Sequence, residues 1–213
     1  MVTEAIVRQN TGIESVNYLL KRRLRLSDPT QTRNGITRQR EMNRIVMGAD
    51  VPIRWALSVS LLSQSAFLRL IALGKVKDAD QLKTEYANIS KKVGSRALSG
   101  QIVEATDVPR GRGGSFVALT FNPELNAALM EDISEARHLA GLDEADFAEP
   151  HATLCGTPRD TAAKNICNSL NTGDIFPIDI DLAAAGPVER SFTFRRLTKS
   201  KWLILTQLVT FKD

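Results

Sequence analysis

Hydrophobic residues in the first half of the chain recur every three or four positions. Ile13, Val16, Leu20 and Leu24 follow this spacing, and so do the apolar residues that follow Asp78. Between them, the pattern predicts a strongly apolar helix over Ile53–Leu73. Spacing of this kind is typical of helices that bury one face. The pattern therefore predicts a helical region over residues 1–108.

The second half has a mixed pattern. Ser115–Phe121 and the segment "HATLCG" have strand composition, and Ile178–Leu182 alternates with the period of two expected of a half-exposed strand. Between the first two, Asn122 and Pro123 begin a predicted helix and Gly141 ends it. We therefore predict an α+β fold, in which the helical N-terminal region is followed by a small antiparallel-sheet domain.

The stretch "PRGRGG" at residues 109–114 separates the two patterns. Its proline, glycines and arginines are typical of a turn-forming linker. We predict a basic helical region at 1–108, this linker at 109–114, and an α+β domain at 115–213. The linker arginines, Arg110 and Arg112, are also candidates for phosphate contact, because backbone phosphates are usually met by arginine and lysine.

Charge is distributed unevenly between the two halves. Residues 1–112 hold 19 lysines and arginines against 10 aspartates and glutamates, whereas residues 113–213 hold 9 against 14. The cluster "KRRLRL" contributes Lys21, Arg22 and Arg23. Such a surface favours nucleic acid, an acidic protein partner or a larger assembly. Few aromatic residues are interleaved with these cations, so stacking on single-stranded bases is not indicated.

The apolar stretches are too short and too polar to cross a membrane, and the N-terminus does not have the pattern of a signal peptide. Cys155 and Cys167 are eleven residues apart and are interpreted as small buried hydrophobic residues in a reducing compartment. We therefore expect a cytoplasmic protein that neither spans nor binds a membrane. No metal or organic cofactor is expected, because no zinc, P-loop or dinucleotide motif is present.

The most informative short motif is "PHATLCGT", which contains His151 and Thr153. On a strand, residues two apart face the same side, so both side chains would point into one groove. An imidazole can exchange a proton with a ribose hydroxyl, and a threonine hydroxyl can donate to a phosphate oxygen. Alternatively, a histidine that follows a proline in a strand is structural, with a ring nitrogen bonded to a backbone carbonyl.

The order "FVALTFNPEL", helix, "PHATLCGT", helix, strand resembles one lobe of the 2H phosphoesterase superfamily. This group includes 2′-5′ RNA ligase-like proteins and cyclic-nucleotide phosphodiesterases. The resemblance covers residues 115–182. It implies a metal-independent site in which His151 is a general acid or base and Thr153 binds phosphate. In the family, two His-x-Thr pairs, one in each lobe, face each other, and one histidine acts as base while the other acts as acid.

This sequence contains only one His-x-Thr, because the other histidine, His138, lies in "RHLAG" near a predicted helix end. Three alternatives follow. The protein is a degenerate, non-catalytic relative; or Arg195, Arg196 or Lys199 replaces the second histidine; or two chains of a homo-oligomer each supply one motif. Whether the protein is an enzyme therefore stays open at this stage.

Two functions remain in view. The first is a hydrolase or binder that recognises RNA ends, cyclic phosphates or 2′-5′ phosphodiesters. The second is a structural or interaction protein whose basic helices dock onto nucleic acid or a macromolecular assembly. The candidate phosphate-binding residues common to both are Lys21, Arg22, Arg23, Arg110, Arg112, Arg195, Arg196 and Lys199.

Overall fold

The computed structural model describes residues 13–26, 32–49, 57–93, 96–109, 114–142, 149–157, 160–196 and 202–210. Seven strands and five helices lie in these ranges. The strands are β1 (Ile13–Leu26), β2 (Ser58–Leu62), β3 (Leu98–Pro109), β4 (Ser115–Phe121), β5 (Ala152–Thr157), β6 (Ile178–Arg196) and β7 (Trp202–Thr210). The helices are α1 (Thr32–Gly48), α2 (Gln64–Ala72), α3 (Ala79–Val93), α4 (Pro123–Ala140) and α5 (Asp160–Thr172).

The same order of elements occurs twice along the chain. β1, α1, β2, the helix pair α2–α3 and β3 form the first repeat, and β4, α4, β5, α5 and β6 form the second. The predicted linker at 109–114 falls between them. Residues 110–113 of this linker, including Arg110 and Arg112, lie outside the described residues.

All the strands join one antiparallel sheet in the order β1-β2-β5-β4-β3-β6-β7. β1 pairs with β6 as well as with β2, so the six strands from β1 to β6 in this order each have a paired neighbour on both sides. The two repeats meet where β2 pairs with β5, at Val59 and Ala152, and where β3 pairs with β6. This arrangement confirms the predicted α+β class.

The helical prediction for the first half is wrong in two places. Residues 13–26 form β1, paired along its length with β6, and the apolar stretch Ile53–Leu73 contains strand β2 before helix α2. The spacing at Val16, Leu20 and Leu24 was ambiguous, because residues four apart share a face on a strand as well as on a helix. β3 was not predicted at all.

The predicted elements of the second half are confirmed. Helix α4 has Pro123 in its first turn and ends at Gly141, whose φ of 64° is left-handed. The amides of Gly141 and Leu142 close the helix on the carbonyls of His138 and Arg137, which is the usual role of a C-terminal glycine. β4, β5 and α5 also form where the pattern indicated, and the predicted strand Ile178–Leu182 is the first part of the longer strand β6.

The core lies between the helices and one face of the sheet. α5 packs on β3 and β4, α4 packs on β2 and β3, and α3 packs on β6. Both cysteines are buried, and burial raises the pKa of the Cys167 thiol to about 12. Their interpretation as buried hydrophobic residues is confirmed. Among the described residues, no helix is both long and apolar enough to cross a membrane.

At Gly100, the backbone of β3 lies close against the start of helix α4. A Cβ there would lie 2.7 Å from both Asn122 Oδ1 and Leu125 Cβ. Moving the Asn122 side chain away would break a hydrogen bond, because its Oδ1 accepts from the amide of Gln101 at 2.9 Å. We expect Gly100→Ala to lower the free energy of unfolding by roughly 1–3 kcal/mol, the usual cost of overpacking. Urea denaturation measures this loss.

Gly48→Ala is the matched control for this substitution. A Cβ at Gly48 meets nothing within 4 Å. The free energy of unfolding of the Gly48→Ala variant should therefore stay within about 0.5 kcal/mol of the wild-type value, as is usual for surface substitutions. Equal stability of the Gly100→Ala and Gly48→Ala variants would contradict the close approach of β3 and α4.

Candidate functional site

His151 is held in a defined orientation immediately before β5. Its Nδ1 lies 2.8 Å from the backbone carbonyl oxygen of Glu149. A carbonyl oxygen only accepts hydrogen bonds, so Nδ1 must carry the proton, and the lone pair of the neutral ring is then on Nε2. The carbonyl contact expected of a structural histidine is therefore present, and it also leaves Nε2 as a proton acceptor.

The ring of Phe116 supports His151 from the neighbouring strand. The two ring centroids are 5.4 Å apart, and the planes meet at 30°, which is a stacked arrangement. Phe116 lies on β4, opposite Gly156 of β5. The stacking fixes the plane of the imidazole, while the side chain stays half-buried rather than enclosed.

Thr153 lies on the same side of β5 as His151. The intervening Ala152 and the following Leu154 are buried, whereas His151 and Thr153 are half-buried. The alternation predicted from the sequence is thus observed in the burial of these four residues. Helix α5 and the core lie on the Ala152 side, so His151 and Thr153 are on the side of β5 that faces away from the core.

Two serines of β2 continue this outward-facing row. Val59 pairs antiparallel with Ala152, so the flanking Ser58 and Ser60 face the same way as His151 and Thr153. The five residues of β2 alternate between half-buried and buried in the order seen for residues 151–155 of β5. β2 and β5 are also the third elements of their respective repeats.

β1 adds cations on the other side of β2. Lys21 is in register with Ser60, and Arg23 is in register with Ser58. The ammonium of Lys21 donates to Ser58 Oγ at 3.2 Å, and Lys21 is half-buried while Arg23 is exposed. We call the outward-facing residues His151, Thr153, Ser58, Ser60, Lys21 and Arg23 the "polar row".

Arg22 has no place among the candidate phosphate-binding residues. Its side chain is completely buried, and its Nη2 lies 2.8 Å from Asp132 Oδ2 of helix α4. It also donates to the backbone carbonyls of Val93, Arg96 and Ala183. Neighbouring residues of a strand face opposite sides, so Arg22 enters the core while Lys21 and Arg23 face outward.

The remaining candidates lie elsewhere or outside the described structure. Arg195 and Arg196 are in the part of β6 that pairs with β7, opposite Leu203 and Trp202, and only their backbone is described. Lys199 lies outside the described residues, as do Arg110 and Arg112. Their roles in phosphate binding stay predictions. In the described part of the chain, no three His, Cys, Asp or Glu side chains cluster as metal ligands.

Sequence reasoning missed the two serines of the polar row. "SVSL" at Ser58–Leu61 repeats the form of "HATL", a polar residue, a spacer, a hydroxyl residue and leucine. This signal was available in the sequence, but the surrounding apolar stretch was interpreted as one helix, in which residues two apart do not share a face. Only the pairing of β2 with β5 brings the two motifs together.

No protein-family model and no curated protein matches the sequence. Solved structures do show similarity. Kluyveromyces marxianus Usb1 is 9% identical with a TM-score of 0.47, covering 89% of this chain and 96% of its own. E. coli LigT, complexed with 3′-AMP, is 12% identical with a TM-score of 0.42, covering 92% and 99%.

A third similar structure is described as a phosphoesterase. It is 12% identical to this chain with a TM-score of 0.40, and the match covers 92% of this chain and all of the other. These identities and TM-scores are too low to assign a family or a function to this chain, and its own residues carry the functional proposal.

Proposed function

We propose that this protein is a 2H-phosphoesterase-like hydrolase that cleaves phosphodiesters at RNA ends, in cyclic nucleotides or in 2′-5′ linkages, without a metal. The observation that supports this proposal most is the orientation of His151. Its Nδ1 is committed to the Glu149 carbonyl, which leaves the lone pair of the neutral ring on Nε2, and Thr153 lies on the same side of β5. A base and a hydroxyl donor on one outward-facing strand suit a phosphate whose attacking oxygen must lose a proton.

The basic residues of the polar row support a phosphate as the ligand. Lys21 and Arg23 are in register with the serines of β2. A phosphodiester carries one negative charge, and hydrogen bonds from charged donors to phosphate oxygens are the strong ones. A nucleotide ligand, held by the phosphate rather than by base stacking, is consistent with this set of side chains.

A binding protein without turnover is the second candidate. It is favoured by the absence of a second His-x-Thr and by Ser58 in the corresponding place on β2. In that case the polar row would hold an RNA end or a nucleotide, or would help dock the protein onto a larger assembly. Where the ligand is an RNA end or a nucleotide, the two candidates share the ligand chemistry and differ in whether bonds are broken.

A hydrolysis assay separates the two candidates. The purified protein is incubated with 2′,3′-cyclic nucleotides and with 2′-5′-linked oligonucleotides, with excess chelator present. Turnover under these conditions supports a metal-independent hydrolase. Binding of a nucleoside 3′-monophosphate without turnover of either substrate class supports the binding protein. If the protein shows neither binding nor turnover, both nucleotide-directed candidates are contradicted.

A further inference from the structure

The two repeats place Ser58 where the second repeat has His151. Val59 and Ala152 pair across the junction of the repeats, and each is the buried residue between two half-buried ones. Exchanging the repeats about this pair superposes Ser58 on His151 and Ser60 on Thr153. The strands next to β2 and β5, which are β1 and β4, correspond as well. Lys21 of β1 pairs with Ser60, as Ala118 of β4 pairs with Thr153.

The contact between Lys21 and Ser58 determines which way the serine proton points. An ammonium group only donates, so Ser58 Oγ is the acceptor in the 3.2 Å hydrogen bond. The serine hydroxyl hydrogen is then left to donate to another atom. A neighbouring positive charge also makes the hydroxyl a better proton donor, because it stabilises the alkoxide that forms when the proton leaves.

We propose that Ser58, acting with Lys21 behind it, is the proton donor to the leaving oxygen of the substrate. This inference rests on the proposed hydrolase function and gives the site a fixed direction. His151 on β5 is the base, and Ser58 on β2 is the acid. The attacking hydroxyl therefore approaches from the β5 side, and the leaving oxygen lies on the β2 side.

The proton balance of one step is complete with these groups. A water or ribose hydroxyl loses its proton to Nε2 of His151, and its oxygen forms a new bond to phosphorus. The bond from phosphorus to the leaving oxygen breaks, and that oxygen takes the Ser58 proton. Lys21 returns a proton to Ser58, and exchange with solvent restores the neutral imidazole and the ammonium. No oxidant, reductant or metal is required.

The leaving group provides the test. A nucleoside alkoxide needs a proton as it departs, whereas p-nitrophenolate departs without one. We expect Ser58→Ala to lower kcat/KM by roughly 100-fold for a 2′-5′-linked dinucleotide and by less than about threefold for a nucleoside p-nitrophenyl phosphodiester. Ser99→Ala, an exposed serine of β3, is the matched control and should leave both substrates unchanged.

Lysine variants separate charge from proton donation. Lys21→Met should show the same leaving-group dependence as Ser58→Ala. Lys21→Arg keeps the cation beside Ser58 Oγ but does not release a proton at working pH, so it should keep 3′-AMP binding and recover only part of the dinucleotide cleavage that Lys21→Met loses. Lys164→Met, an exposed lysine of α5, controls for the loss of one charge.

The outcomes distinguish this inference from the function on which it rests. If the wild-type protein hydrolyses neither ester, the proposed hydrolase fails and the inference fails with it. If the wild type is active and Ser58→Ala slows both esters equally, or neither, the hydrolase stands and Ser58 is not the proton donor. Selective loss on the dinucleotide alone supports the assignment.

Discussion

Replacing Asp132 by alanine is expected to lower the free energy of unfolding by about 3–5 kcal/mol. Asp132 is 2% exposed and forms ion pairs with Arg22, which is fully buried on β1, and with the exposed Arg96. Without the carboxylate, the guanidinium keeps its three carbonyl acceptors but loses its compensating charge in the core. Urea or thermal unfolding of the two proteins measures the difference.

Two further variants make this prediction specific. Glu131→Gln removes an exposed partner of Arg96 one residue away, and it should cost less than about 1 kcal/mol because surface ion pairs contribute little. Arg22→Met combined with Asp132→Leu removes both charges, and it should recover most of the stability lost in the single variant. A loss at Asp132 no larger than that at Glu131 would contradict the buried pair.

His151→Ala is expected to lower kcat/KM for metal-independent phosphodiester hydrolysis by about 10²–10⁴-fold, the usual contribution of a positioned general base. The variant should remain folded, because His151 is half-buried and its contacts are one backbone carbonyl and one stacked ring. The assay uses the cyclic and 2′-5′-linked substrates in chelator, with circular dichroism to confirm folding.

The chain contains its own control for this substitution. His138, the only other histidine, is exposed in the last turn of α4. His138→Ala should retain wild-type kcat/KM. If both histidine variants keep wild-type activity, His151 is not the base, and if both lose it equally, the loss is not specific to the polar row.

The sequence predicted the second repeat better than the first because its signals are local. Pro123 and Gly141 mark the ends of α4 through their own backbone preferences, and His151 and Thr153 alternate with buried residues within one short strand. These features need no knowledge of partners. The outward orientation of His151 followed from the same alternation.

The first repeat could not be predicted in the same way, because its strands are defined by distant partners. β1 is a strand through its pairing with β6, more than 150 residues later along the chain, and its apolar spacing fits a helix equally well. The run "KRRLRL" looks uniformly basic in the sequence. Only the strand alternation shows that Arg22 turns inward to Asp132 while its neighbours Lys21 and Arg23 face outward.

Ser58 shows the same limit at the candidate site. Its motif has the form of the one at His151, but nothing in the sequence indicates that residues 58 and 151 belong to neighbouring strands. The Val59–Ala152 pairing supplies that information. The same pairing shows that Ser58 on β2 occupies the position that corresponds to His151 on β5. The two sides of the candidate site therefore carry different side chains.

The most direct test of the account follows the two imidazoles by nitrogen-15 NMR while 3′-AMP is added. His151 and His138 are the only histidines, so each spectrum contains two imidazole spin systems, which the His138→Ala variant assigns. We predict that the His151 signals show a proton on Nδ1 in the neutral form and shift on titration, while those of His138 stay in place. If the His151 signals do not move, or move no more than those of His138, the polar row is not the phosphate site.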